Sequence, residues 1–222
     1  MSKWISLLCV VVIAAIAASA QDAQRFETFG GYSLTHDASF DAASTNGWDT
    51  STTIFLKRWL GFTTDLSGHY GSGDFPFAIV NRYPLGKYKE NTSSYTYMAG
   101  PHFTYRRSRY APFVETLFGV YNARYNLTVL EGCSPGVCIG PAPGSTRSDS
   151  YTKFALAAGG GLDVAIGHGI SVRPFQMEYL LLREPGATIS DGNIVPITNN
   201  YNTYRFSTGI SFQFGPDLGP SR

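Results

Sequence analysis

From Tyr201 to Phe214 the chain alternates at every residue. One parity holds Tyr204, Phe206, Thr208, Ile210, Phe212 and Phe214; the other holds Thr203, Arg205, Ser207, Gly209, Ser211 and Gln213. A period of two belongs to a β-strand with one apolar and one polar face, and no segment after the first twenty residues shows the 3.6 period of an amphipathic helix. At about 3.3 Å per residue the run is longer than a typical soluble strand, and long enough to cross a bilayer when tilted.

Seven further segments fit the same pattern: Arg25 to Leu34, Trp48 to Lys57, Leu60 to Tyr70, Ser93 to Arg106, Pro112 to Leu127, Tyr151 to Ile166 and Ile170 to Arg183. The connections alternate short and long. Arg58-Trp59, Arg107 to Ala111 and Gly167-His168-Gly169 are tight. The stretches Thr35 to Gly47, Gly71 to Thr92, Thr128 to Ser150 and Glu184 to Asn200 are long, polar and rich in Gly, Pro, Ser, Asn and Asp. Short turns at one end and long loops at the other are the outer-membrane pattern, in which an even strand count leaves both termini on the periplasmic side. The fold predicted is all-β, an eight-stranded antiparallel up-and-down transmembrane β-barrel.

The first twenty residues read differently. Lys3 precedes an apolar run from Ile5 to Ala17, and Ala18-Ser19-Ala20 forms a small-residue cleavage site before Gln21. That is the layout of a secretory signal peptide, with an apolar run too short for a membrane anchor. Residues 1–20 are therefore assigned as leader, 21–214 as the barrel and 215–222 as a short tail. Removing Lys3 takes the formal net charge from +1 to zero, which points away from nucleic acid as a partner. Charged residues make up only 15% and aromatics 14%. The mean hydropathy of −0.08 suits a barrel whose two faces average out, and is far below that of a helical membrane protein.

A soluble, lipocalin-like barrel would also alternate, with its apolar face turned inward around a ligand. Against it, the polar parity is small or charged, and Trp48, Trp59, Tyr70, Tyr95, Tyr105, Tyr201, Phe212 and Phe214 cluster near strand ends, where interfacial girdles sit. The segments Phe26 to Tyr32, Lys57 to Phe62, Ala155 to Val164 and the closing GISFQF, in this order, resemble the OmpA/OmpX-like small outer-membrane β-barrel family. The resemblance covers about Arg25 to Phe214. It implies that the barrel-assembly machinery reads the last strand through Phe212 and Phe214. The tail Gly215 to Arg222 departs from the family, which usually ends at the aromatic.

A narrow eight-stranded barrel is filled by its own side chains, and charges inside it must pair. The alternation directs Glu27, Asp65, Glu115, Asp163 and Glu178 inward, with Arg106, Lys153, Arg173 and Arg205 as counter-charges and His102 beside them. Pro174 interrupts strand seven and marks a bulge that switches parity, so that Arg173, Gln176 and Glu178 all face the lumen. Cys133 and Cys138 flank a Pro135-Gly136 turn and are expected to close a small disulfide loop in an exported protein. None of His36, His69, His102 and His168 joins a nucleophile and an acid in a convincing set, and no metal or cofactor site is evident. The sequons at Asn91 and Asn126 are expected to be chance, and the loops carry no basic run.

The expected function is non-enzymatic: membrane integrity, or display of loops to an outside partner. Outer-membrane lipid and lipopolysaccharide surround the barrel on this reading. The alternatives are a narrow porin-like channel, a lipid-modifying enzyme and a lipocalin-like binder.

Overall fold

The computed structural model describes residues 25–37, 44–80, 83–131, 143–167, 169–190 and 193–215. Eight strands occur in chain order: β1 (Arg25–Asp37), β2 (Ser44–Lys57), β3 (Leu60–Val80), β4 (Tyr83–Thr104), β5 (Tyr110–Glu131), β6 (Thr146–Gly167), β7 (Ile170–Ser190) and β8 (Asn193–Phe214). Each pairs antiparallel with the next, and β1 pairs with β8, so the sheet closes into a ring without an edge. Phe26 lies opposite Phe214, and the first and last strands stay paired up to Asp37 and Thr203. Closure satisfies every strand's backbone groups inside the ring, which is what a β-structure needs in hydrocarbon.

The stagger of the ring follows from the register. Starting at Arg25, the paired residues run through Phe55, Gly61, His102, Glu115, Gly159, Glu178 and Arg205, and return to β1 at Thr35. The circuit thus comes home ten residues further along. For eight strands that shear implies a tilt of about 40° and a lumen only wide enough for side chains.

At one end the strands join by tight turns. Arg107 and Tyr110 exchange both backbone hydrogen bonds (2.9 and 3.0 Å) around Ser108-Arg109, with Ser108 at a positive φ of 51°. Gly167 and Gly169 hold φ of 127° and 76° in the β6–β7 turn, a conformation side chains resist. At the other end the strands run on. Much of the long polar stretches is ladder: β3 and β4 stay paired to Val80 and Tyr83, β5 and β6 to Thr128 and Thr146, and β7 and β8 to Ser190 and Asn193. This corrects the reading of those stretches as loops. The ladder persists there while the strict apolar–polar alternation that would reveal it is missing from the residues. Residues 1–24 and 216–222, to which the sequence assigned a leader and nearly all of a tail, lie outside the described residues, as do His168 and the expected Cys133–Cys138 disulfide.

The apolar parity faces outward. Leu66, Tyr97, Phe118, Val120, Phe154, Phe175, Met177, Phe206 and Ile210 are all exposed. Trp59, Tyr105, Tyr110, Phe212 and Phe214 ring the turn end, and Tyr32, Trp48, Tyr70, Tyr97 and Tyr179 ring the other side of the belt. Edge-to-face contacts order the second ring, between Tyr70 and Tyr95 and between Tyr179 and Tyr204. An apolar belt between two aromatic girdles around a charged interior is the transmembrane arrangement; the lipocalin-like alternative requires the reverse.

Candidate functional site in the barrel lumen

The inward parity packs the lumen in layers. Toward the turn end the centre is Arg173, 2% exposed. Its Nε and Nη2 donate to Asp163 Oδ1 and Oδ2 at 2.8 and 2.9 Å, and its Nη1 donates to Gln176 Oε1 at 2.7 Å. Nη2 also reaches Glu27 Oε1 at 3.4 Å. The guanidinium lies between the rings of Phe29 and Phe113, 4.2 and 4.3 Å from their centroids, so cation–π attraction adds to the ion pairs.

The strand that supplies Arg173 is bulged. The β7–β8 register shifts between Arg173 and Gln176, and both residues, with Glu178, are buried. Pro174 and Phe175 are the exposed residues between them. Pro174 cannot donate to a ladder, so the extra residue falls where the ladder loses least.

Around this centre, Arg106 Nη2 and Gln213 Nε2 each donate to Glu27 Oε2 at 3.0 Å. Arg106 lies beyond the end of β4, in the turn region, and crosses the Phe55 ring at 4.5 Å. Glu115 accepts from Gln176 at 3.0 Å and lies 3.0 Å from His102 Nδ1. The His102 ring stacks on Phe113 at 4.8 Å and meets Phe55 edge-on at 5.8 Å.

A second centre, Arg205, lies further from the turns and is 0% exposed. Its Nε donates to Glu178 Oε2 at 2.7 Å, and its Nη1 donates to Asp65 Oδ1 and Ser67 Oγ, both at 2.9 Å. Beside it runs a chain of short polar groups: Ser207 donates to Asp49 at 2.7 Å and lies 3.1 Å from Ser33 Oγ, and Ser33 Oγ is 2.9 Å from His69 Nε2. His69 therefore partners Ser33, while Asp65, four residues away on the same strand, is taken by Arg205. Asp49 is separated from His69 by two serines, so the buried Ser, His and Asp do not form a nucleophile–base–acid relay.

On the opposite wall the lumen is apolar. Met98, Leu117, Ala155, Ala157, Leu180 and Leu182 form one buried cluster, with Tyr121 packed against it. These residues share parity with the inward charges on their strands, yet they make the lumen a mixed core rather than a wholly polar one.

Nine of the ten inward residues read from the sequence thus fall into two hydrogen-bonded centres: Glu27, His102, Arg106, Glu115, Asp163 and Arg173 in one, and Asp65, Glu178 and Arg205 in the other. Lys153 is the exception. It is half-buried on the inward parity of β6, opposite Tyr121, and makes no ion pair among the described residues. Asp49 and the phenylalanine shelves at 29, 55 and 113 are buried too and are not among the ten, although each shares the parity of an inward polar residue two positions away. Phe212 and Phe214 face outward at the turn end, paired with Thr28 and Phe26. Among the described residues no group of three or more His, Cys, Asp or Glu is placed to hold a metal ion.

A closed eight-stranded ring with an apolar belt and a side-chain-filled lumen defines the class of small outer-membrane β-barrels. Ail, the attachment invasion locus protein of Yersinia pestis, crystallised with the heparin analogue sucrose octasulfate, superposes with a TM-score of 0.52 at 14% identity, over 86% of this chain and 99% of that one. Neisserial surface protein A gives 0.49 at 12% identity over 86% and 97%, and a major outer membrane protein of Thermus thermophilus gives 0.49 at 11% over 85% and 99%. At these identities the likeness is one of fold. No protein-family model matches the chain, and no curated protein sequence matches it.

Proposed function

We propose that this chain is a non-enzymatic barrel of the bacterial outer membrane that presents three paired hairpins to partners outside the cell. A cleaved leader exports it, the assembly machinery reads its last strand, and both termini stay in the periplasm. Lipopolysaccharide is then its lipid neighbour on the hairpin side. The observation that carries the reading is the unequal length of the two ends. The β3–β4 ladder continues nine residues past Gly71 to Val80, and the β7–β8 ladder seven past Arg183 to Ser190, while the far end closes in tight turns. Strands of about ten residues suffice to cross a bilayer, so 21 or 22 are a surplus spent outside it. A lumen filled by two arginine centres and an apolar wall favours anchorage over conduction.

The test is to express the full chain, and a form lacking Thr128 to Ser150, on cells with no adhesins of their own. Retention on an epithelial monolayer and aggregation between cells should rise with the full chain and fall with the shortened one, while both stay folded in the outer membrane. Retention and aggregation unchanged by truncating any of the three long hairpins would overturn the display role.

A further inference from the structure

The turn end of the barrel carries a charge pattern that the display role does not use. Lys57, Arg58, Arg107 and Arg109 are exposed there, on the β2–β3 and β4–β5 turns. The carboxylates at that end, Glu27 and Asp163, are buried and committed to lumen cations, so among the described residues this rim shows exposed cations and no exposed acid. The opposite end is mixed: Arg147 pairs with Asp149, and Asp74 is exposed.

Directly above the basic turns, on the outer wall, lies an apolar groove of about 320 Å³ lined by Trp59, Phe103, Tyr105, Pro112 and Val114. Trp59 and Phe103 stack at 6.0 Å to form one side of it, and Lys57 Nζ lies 5.8 Å from the Trp59 ring. We propose that this groove and its rim are a binding site for one anionic phospholipid. An acyl chain lies against Trp59, Phe103 and Val114, and the phosphate headgroup meets the cations of the two turns. Three features fit a diacyl phosphate lipid together: the groove opens to hydrocarbon, its floor sits at the aromatic girdle where headgroups begin, and the charge beneath it is of one sign. The site rests on the transmembrane reading, but its occupancy can be measured apart from orientation in the cell.

The experiment is native mass spectrometry of the full-gene product purified from outer membranes, released from detergent with equal phosphatidylglycerol and phosphatidylethanolamine. The wild type should retain one phosphatidylglycerol in about fivefold excess over phosphatidylethanolamine, equivalent to about 1 kcal/mol. Arg58→Glu/Arg107→Glu/Arg109→Glu should erase the excess, and Val114→Trp, which fills the groove, should lower both adducts. Arg124→Glu/Arg147→Glu at the opposite end should change neither. Each variant is also run unheated and heated on a dodecyl sulfate gel, so loss of lipid is separated from loss of the barrel. Equal retention of the two lipids by the folded wild type, or an excess that survives the turn variant, would overturn the site.

Discussion

Arg173 and Asp163 meet inside the barrel in a two-pronged ion pair, with Nε–Oδ1 at 2.8 Å and Nη2–Oδ2 at 2.9 Å, although the β6–β7 register shifts around Asp163, between Leu162 and Val164, and the β7–β8 register shifts between Arg173 and Gln176. The bulge at Pro174 keeps Arg173 inward while the strand beyond it keeps Gln176 and Glu178 inward as well.

If that pair holds the turn-end layer, Arg173→Met should cost about 3–5 kcal/mol, because it strands Asp163 without its cation. Replacing Asp163 with Leu as well should recover a large part of the loss. Urea unfolding in lipid vesicles, followed by tryptophan fluorescence, reads both. A double variant as unstable as the single one would show that the rings of Phe29 and Phe113, rather than the charge pairing, set the stability of this layer.

At Gly159 the β6 wall lies tight against β7. A Cβ there would lie 2.2 Å from the Met177 carbonyl oxygen and 2.6 Å from the Glu178 Cα. Gly159→Val should therefore stop the chain reaching its folded, detergent-resistant form, whereas Gly30→Ala, where a Cβ meets nothing within 4 Å, should still reach it. Equal yields of folded protein from the two would refute the close packing of these strands.

The filled lumen makes a prediction about conduction. The refolded protein should give no discrete current steps in planar bilayers at neutral pH. Clearing one centre with Arg205→Ser/Glu178→Ser/Asp65→Ser should open a measurable conductance. Steps in the wild type as large as those in the triple variant would favour the porin-like alternative.

Ser108 holds φ at 51° in the two-residue turn between Arg107 and Tyr110. The left-handed conformation disfavours a branched side chain, so Ser108→Val should destabilise by more than about 1 kcal/mol while Ser108→Gly should not. The same vesicle unfolding experiment compares them, and equal losses would contradict the turn geometry.

Much of the architecture is legible in the residues. Alternation from Thr203 to Phe214 gives both faces of β8, and Pro174 alone signals the parity switch in β7. Two things are not legible. The strand tops, such as Phe75 to Val80 and Tyr83 to Lys87, carry no period of two, the first being apolar at every position and the second broken by Pro84 and Gly86, so alternation does not reveal the ladder. The partners across the lumen depend on the stagger of the whole ring. Glu178 is the direct cross-strand neighbour of Arg205, but Asp65 reaches the same guanidinium from the opposite wall, and only the ten-residue shear brings it there. For the same reason, the inward parity of Leu180 and Leu182 is visible, while their meeting with Leu117 and Met98 is not.

A closed barrel with its apolar face in lipid should be heat-modifiable. The protein is folded into detergent or vesicles and run on a dodecyl sulfate gel with and without boiling. The unboiled form should migrate apart from the boiled one, with β-rich circular dichroism before heating. A single position on the gel, together with full solubility in plain buffer, would contradict it and turn the apolar face inward.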